Sequence, residues 1–205
     1  MMTFRQEVEK FKAWAAKYPI EERSGEWECD YAGWDTLYKA TLEFLASLSP
    51  SNWDGTDVSD LLYVIARDNE TENLASEVAK DTNRLLRLSR LVLDSPETDA
   101  KWQLAAQLGT LSDQAREAET LLLEFVDDKD EYVSRRALLS LGTLKSPKAE
   151  ALAERAWSTG HEYQRIAALW VLRELSSDKL PMYIQKALED GREYVVQNAR
   201  QVQQA

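Results

Sequence analysis

Three Glu-Tyr pairs recur at a fixed interval. Glu131–Tyr132, Glu162–Tyr163 and Glu193–Tyr194 stand 31 residues apart, and Ala137, Ala168 and Ala199 follow at the same interval. The segments read EYVSRRALLSLGTL, EYQRIAALWVLREL and EYVVQNARQVQQA. An earlier stretch, TDAKWQLAAQLGTL, shares its LGTL ending with the first of them, and places Gly109 33 residues before Gly142. Each copy follows a second patterned segment, at 82–93, 115–126, 149–157 and 180–188. Short polar turns join the two: DSPETD, DDKDE, STGHE and EDGRE. Leu121, Leu122, Phe125 and Val126 have the spacing of an amphipathic helical face. Pro96, Pro147 and Pro181 fall at turns or first helical positions, where proline is tolerated. The unit is therefore helix, acidic turn, helix, short link. One such hairpin cannot bury its apolar face alone, so copies must stack on one another.

The acidic turn followed by spaced apolar residues resembles the HEAT and HEAT-like repeats, whose pattern is V-R-x-x-A with later leucines. Val133 and Ala137 match it, with Ser134 where the family has Arg. In the next copy Arg165 and Ala168 match and Gln164 replaces Val. Lys101 and Val196 stand at the Arg place in the first and last copies. The resemblance covers roughly residues 82–205 and implies an α-solenoid of stacked antiparallel helical hairpins. It also implies that the second helix of each pair lines the concave surface.

Composition agrees with an all-α chain. Gly and Pro together number 7 + 5 = 12 of 205 residues, and β-branched residues are sparse beside Leu and Ala. Hydrophobic residues make up 44%, enough for a buried core. Upstream of the repeats, residues 3–18 form an amphipathic pattern with Phe4, Val8, Phe11 and Ala15 on one face. Residues 31–49 predict one long helix stopped by Pro50. Residues 57–81 predict a helical pair opened by Asp57 as N-cap, with Asp60 at the third helical position. We expect a single domain over 1–205, with a helical non-repeat cap over 1–55 and about five hairpins over 56–205.

Net charge is 25 − 36 = −11. Residues 1–100 carry 11 − 20 = −9 and residues 101–205 carry 14 − 16 = −2. Binding to nucleic acid without sequence preference requires Lys and Arg to neutralise phosphates, so no tight non-specific nucleic-acid binding is expected. A single Cys, Cys29, gives no internal disulfide, and a single His, His161, removes multi-His metal sites. Cys29 lies beside Glu28 and Asp30, which raise a thiol and make it a poor nucleophile. Asp127, Asp128, Asp130 and Glu131 lack the ligand order and central Gly of a calcium loop and read as a solvated turn. His161 is expected in a turn without a partner. No metal, no cofactor and no membrane association is expected, and the start lacks a signal-peptide pattern, which suggests the cytoplasm.

A helical wheel from Val133 places Val133, Ala137, Leu141 and Leu144 toward the partner helix. Arg135, Arg136, Leu139 and Thr143 fall opposite. The repeat interval carries that face to Ile166, Ala167, Trp170 and Glu174, with Arg173 at the edge, back to Trp102, Gln103 and Ala106, and in the last copy to Gln197, Asn198 and Gln201. The predicted partner-binding strip is Trp102, Arg135, Arg136, Leu139, Trp170 and Arg173. Trp and Arg are enriched at binding hot spots and pair through cation–π attraction. The resemblance implies a non-catalytic scaffold or adaptor holding a protein or peptide, and the strip suits an acidic or aromatic segment. The alternative is a HEAT-like DNA glycosylase-type enzyme acting on damaged bases. That reading requires an Asp on the strip, yet only Asp99 and Asp113 lie near its ends.

Overall fold

The computed structural model describes residues 3–204. Its elements are α1 Phe4–Ala15, α2 Trp34–Ser47, α3 Gly55–Arg67, α4 Asn73–Ala79, α5 Thr82–Val92, α6 Thr98–Leu108, α7 Ala115–Phe125, α8 Glu131–Thr143, α9 Ala149–Ser158, α10 Glu162–Glu174, α11 Leu180–Leu188 and α12 Glu193–Gln204, with short 3-10 turns between α1 and α3. No strand occurs among the described residues, and no helix among them is long and apolar enough to cross a membrane. The all-α expectation holds, as does the alternation of hairpins along the repeat region.

Local chemistry sets the helix starts. Thr3 and Gln6 form a reciprocal capping box at α1, and Asp130 accepts from the Tyr132 and Val133 amides at α8. The cap expected at Asp57 lies three residues earlier. Asp54 accepts from the amides of Thr56 and Asp57, and Asp57 returns the bond to the Asp54 amide, so α3 begins at Gly55. Asp57 is better used as the third residue of a box, where it satisfies one amide and also receives Arg5.

The chain forms two compact units, one reaching to Gln103 and one starting at Leu104. In the first, α1 buries Phe4, Val8, Phe11 and Ala15 as its pattern requires. The Phe11 ring has Tyr31, Trp34 and Tyr63 with ring centres at 4.9, 5.4 and 5.8 Å. Burying such a ring contributes roughly 1.5–3 kcal/mol. Trp14 and Trp27 stack in parallel with centroids 5.5 Å apart. Lys12 reaches the buried Asp60 carboxylate at 2.6 Å, and Arg5 holds Asp54 and Asp57 at 2.5 and 2.7 Å. Part of the acid excess in this half is therefore structural.

In the second unit, α7 pairs with α8, α9 with α10 and α11 with α12. The later helix of each pair also packs on its counterpart in the next, so α8, α10 and α12 form one layer. Val133, Ala137 and Leu141 are fully buried, as the wheel requires, while Leu144 is half-buried. The layer is tight at its small residues. A methyl group placed on Gly109 would meet Ser140 Cβ at 2.8 Å, and one placed on Gly142 would meet Val171 Cγ2 at 3.0 Å.

A second repeating feature lies in the links. Lys145 and Ser176, 31 residues apart, both take the left-handed backbone conformation, with φ of 52° and 50°. The following Ser146 and Ser177 amides bond back to the Leu141 and Leu172 carbonyls. Their hydroxyls bind Glu119 and Glu150 of the preceding hairpin and accept the amides of Lys148 and Lys179. Each link thus closes one helix, opens the next and ties the hairpin to its predecessor.

Candidate functional site

The layer of α8, α10 and α12 leaves one face of each helix toward solvent. On α8 that face carries Tyr132, Arg135, Arg136, Leu139 and Thr143. On α10 it carries Tyr163, Ile166, Trp170 and Arg173, and on α12 Tyr194, Gln197 and Gln201. Their opposite sides are consumed by packing, so the repeat interval brings chemically related side chains onto adjacent helices. Arg135, Arg136, Leu139, Trp170 and Arg173 are all half-buried there, with their stems against the layer.

Arg135 is held from three directions. Its Nε donates to Glu131 Oε1 at 3.0 Å. Its guanidinium lies 4.6 Å from the Tyr132 ring centre and 5.0 Å from that of Tyr163. Such cation–π contacts are worth about 0.5–1 kcal/mol each when exposed. Glu131 Oε1 also lies 3.6 Å from His161 Nδ1, an ion pair only when the imidazole is protonated. Arg173 stands 5.4 Å over the Trp170 ring, and Trp170 Nε1 donates to Asn198 Oδ1 at 2.8 Å. That bond fixes the indole across the α10–α12 contact while leaving part of the ring open.

Trp102 departs from the predicted strip. Its side chain is only 6% exposed, and its Nε1 donates to Asp99 Oδ1 at 3.1 Å. It belongs to the first unit, and its indole is spent on packing and on holding Asp99. The wheel failed here because the segment opening the repeat array does not share the surroundings of the later copies.

The strip prediction omitted the tyrosines. Tyr132, Tyr163 and Tyr194 are 37%, 44% and 55% exposed and form the most regular row on the face. Their 31-residue recurrence was the available signal. It reads equally as a packing register, and only burial separates the two meanings.

At the turn end of the same unit lies a cavity of about 380 Å³. Asp127, Glu131, Arg155, His161 and Gln164 are among its walls, with Leu138 and Leu152 as apolar surface. Asp127 pairs with Arg155 at 2.8 Å, and Asp130 is spent as the α8 cap. The acidic turn is thus a cap and an ion pair. Among the described residues no group of three His, Cys, Asp or Glu side chains is arranged to hold a metal ion. The exposed Cys29 thiol is pushed up, first by local desolvation and then by Glu26 and Glu28.

Helical hairpins stacked at a 31-residue interval, with a related face on each second helix, define a helical repeat protein. Residues 85–173 match the HEAT repeats family, so this segment, from α5 through α10, is a HEAT-repeat segment. Such repeats are commonly protein-interaction scaffolds and are generally non-catalytic. No curated protein and no solved structure matches the chain.

Proposed function

We propose that the protein is a non-catalytic scaffold or adaptor that holds a protein or peptide partner on the solvent face of α8, α10 and α12. The row of exposed tyrosines with Arg135 clasped between two of them carries this reading. Arg136, Leu139, Trp170 and Arg173 extend the face along the helices. Tyr, Trp and Arg concentrate binding energy where they present broad rigid surface with a polar tip. Neighbouring helices lie about 8–10 Å apart, which is close to the span of three residues in an extended strand at about 3.3 Å each. An extended segment crossing the layer therefore meets a new helix about every three residues, with its side chains alternating toward and away from the layer. Guanidinium groups among aromatic rings favour carboxylate and aromatic side chains in that segment.

Arg135→Ala and Arg136→Ala test the reading. Arg136→Ala should leave the melting temperature within about 2 °C, and Arg135→Ala, which loses its Glu131 bond and two ring contacts, should lower it by only a few degrees, since neither side chain fills the core. Each should weaken capture of the partner from the source cell extract, about thirtyfold at a true hot spot. Unchanged stability with unchanged capture would move the site off this face. Tyr163→Ala serves as an independent variant on the adjacent helix and should act in the same direction.

A further inference from the structure

The first unit contains a pocket of its own. The turn at Trp27–Asp30 and the α3–α4 connection enclose a small pocket of about 60 Å³, room for roughly two water molecules. Glu26, Glu28, Asp68 and Glu70 are four carboxylate-bearing walls, Trp34 is an aromatic wall, and Arg67 is the basic residue among the lining side chains. Arg67 is already committed, to Glu97, to the Tyr63 carbonyl at 3.2 Å and to the face of the Tyr63 ring at 3.9 Å. Asp68 is satisfied as well. It accepts from Thr71 Oγ1 at 2.5 Å and from the Leu74 amide at 2.6 Å.

Glu28 is different. It is only 7% exposed, and its Oε2 is buried with no hydrogen-bond partner. The carboxyl is compensated in part, by its own amide, the Arg67 charge and the Trp27 side chain, but a buried oxygen left without a partner still carries a desolvation cost. Burial pushes the Glu28 carboxyl up. Glu70 is pushed up by its hydrogen bond to Glu26, so these two acids crowd one another at the same pocket. Three acids, Glu26, Glu28 and Glu70, thus gather at one small pocket in the half of the chain that carries −9.

We propose that this pocket receives the guanidinium of one arginine side chain from a basic segment of a protein partner. A planar guanidinium offers five donors in a fixed fork. With a small shift of the pocket wall it can serve the unpartnered, buried Glu28 oxygen and an oxygen of the Glu26–Glu70 pair together through charge-assisted bonds. Its flat face can lie on Trp34. The inference rests on residues of the first unit alone and stands whatever binds the α8, α10 and α12 face.

The test uses the full chain at pH 7 and low salt, titrated with acetyl-Gly-Gly-Arg-Gly-Gly-amide and its citrulline counterpart. Citrulline keeps the shape and removes the charge. Calorimetry and the Trp34 indole N–H resonance report binding. The arginine peptide should bind at least tenfold more tightly than the citrulline peptide and should shift the Trp34 signal. Glu28→Gln should remove most of that preference while leaving the melting temperature unchanged or raised, since it abolishes a buried charge. Glu70→Gln, at the exposed rim, provides a second variant that should also weaken binding. Equal binding of the two peptides, no binding of either, or wild-type affinity in both variants would overturn the proposal. Displacement of the peptide by micromolar calcium or magnesium would overturn it too, by making the pocket a metal site.

Discussion

At the scale of single residues, small side chains set how closely the helices approach. Gly109 faces Ser140 across a helix contact, and the Ser140 Cα lies only 3.0 Å from where a methyl group would be. Backbone cannot rotate out of the way as a side-chain tip can. Gly109→Ala should therefore destabilise the protein by about 1–3 kcal/mol, the usual range for overpacking, as read by chemical denaturation. Gly55 makes the control, because nothing lies within 4 Å of its added methyl; an alanine there should be near neutral. A Gly109→Ala protein as stable as the parent would mean that the two helices are not packed so closely. The link serines make a second case. Ser177 Oγ binds the Glu150 carboxylate at 2.6 Å, and this bond holds the Glu150 carboxyl below its ordinary value, with Lys179 adding to the effect. Ser177→Ala should cost about 1–2 kcal/mol, the lower end of the range for a hydrogen bond to a charged group because Glu150 is partly exposed. An unchanged denaturation midpoint would contradict the tie between hairpins.

At the scale of elements, the C-terminal hairpin is fastened by charge. Asp190, in the turn between α11 and α12, is bound by Arg192 at 2.5 and 2.7 Å and by Arg165 of α10. Arg192 also donates to the Gly160 carbonyl at 2.8 Å, so the network joins two successive turns. The Arg192 guanidinium, and then that of Arg165, hold the Asp190 carboxyl well below the usual carboxylate range. A carboxyl depressed in the folded state adds stability that is fully present above its unfolded value, near pH 4, and is lost as pH falls toward the folded value. Wild-type protein should therefore lose stability below about pH 4, and Asp190→Asn should lower the melting temperature at pH 7 while narrowing the gap to wild type in acid. Thermal melts of both proteins from pH 7 to pH 2 check this. A constant difference across that range would mean that Asp190 acts through packing alone.

At the scale of the whole molecule, stacked hairpins depend on their neighbours. α11 and α12 pack on α10, whose Leu172 is fully buried. Removing residues 179–205 should uncover that flank and break the Trp170–Asn198 bond. The shortened protein should melt at a lower temperature or self-associate, as measured by calorimetry and sedimentation. A monomer with an unchanged melting temperature would mean that the last hairpin adds nothing to its neighbour.

The 31-residue interval was sufficient to place helices in the repeat region, because apolar spacing and polar turns act within one hairpin. It marked 180–188 as a helix, and α11 occupies Leu180–Leu188. The same local reasoning found the buried faces of α1 and α8. Capping was less legible. Asp54 and Asp57 are equally good caps by type and both meet Arg5, and only the backbone path places the Asp54 carboxylate on the Thr56 and Asp57 amides. The predicted face of α8 could be read from periodicity, since a straight helix turns its residues at a fixed angle, whereas on α10 Ala167, placed on that face, is buried in the layer. Trp102 could not be read so, because an indole's exposure depends on which elements close over it. Glu28 was illegible for the same reason. Nothing in EWECD distinguishes a buried acid from a solvated one. Only the folding of that turn against the α3–α4 connection, brought together by an aromatic cluster distant in sequence, takes its carboxylate out of water and leaves one oxygen without a partner.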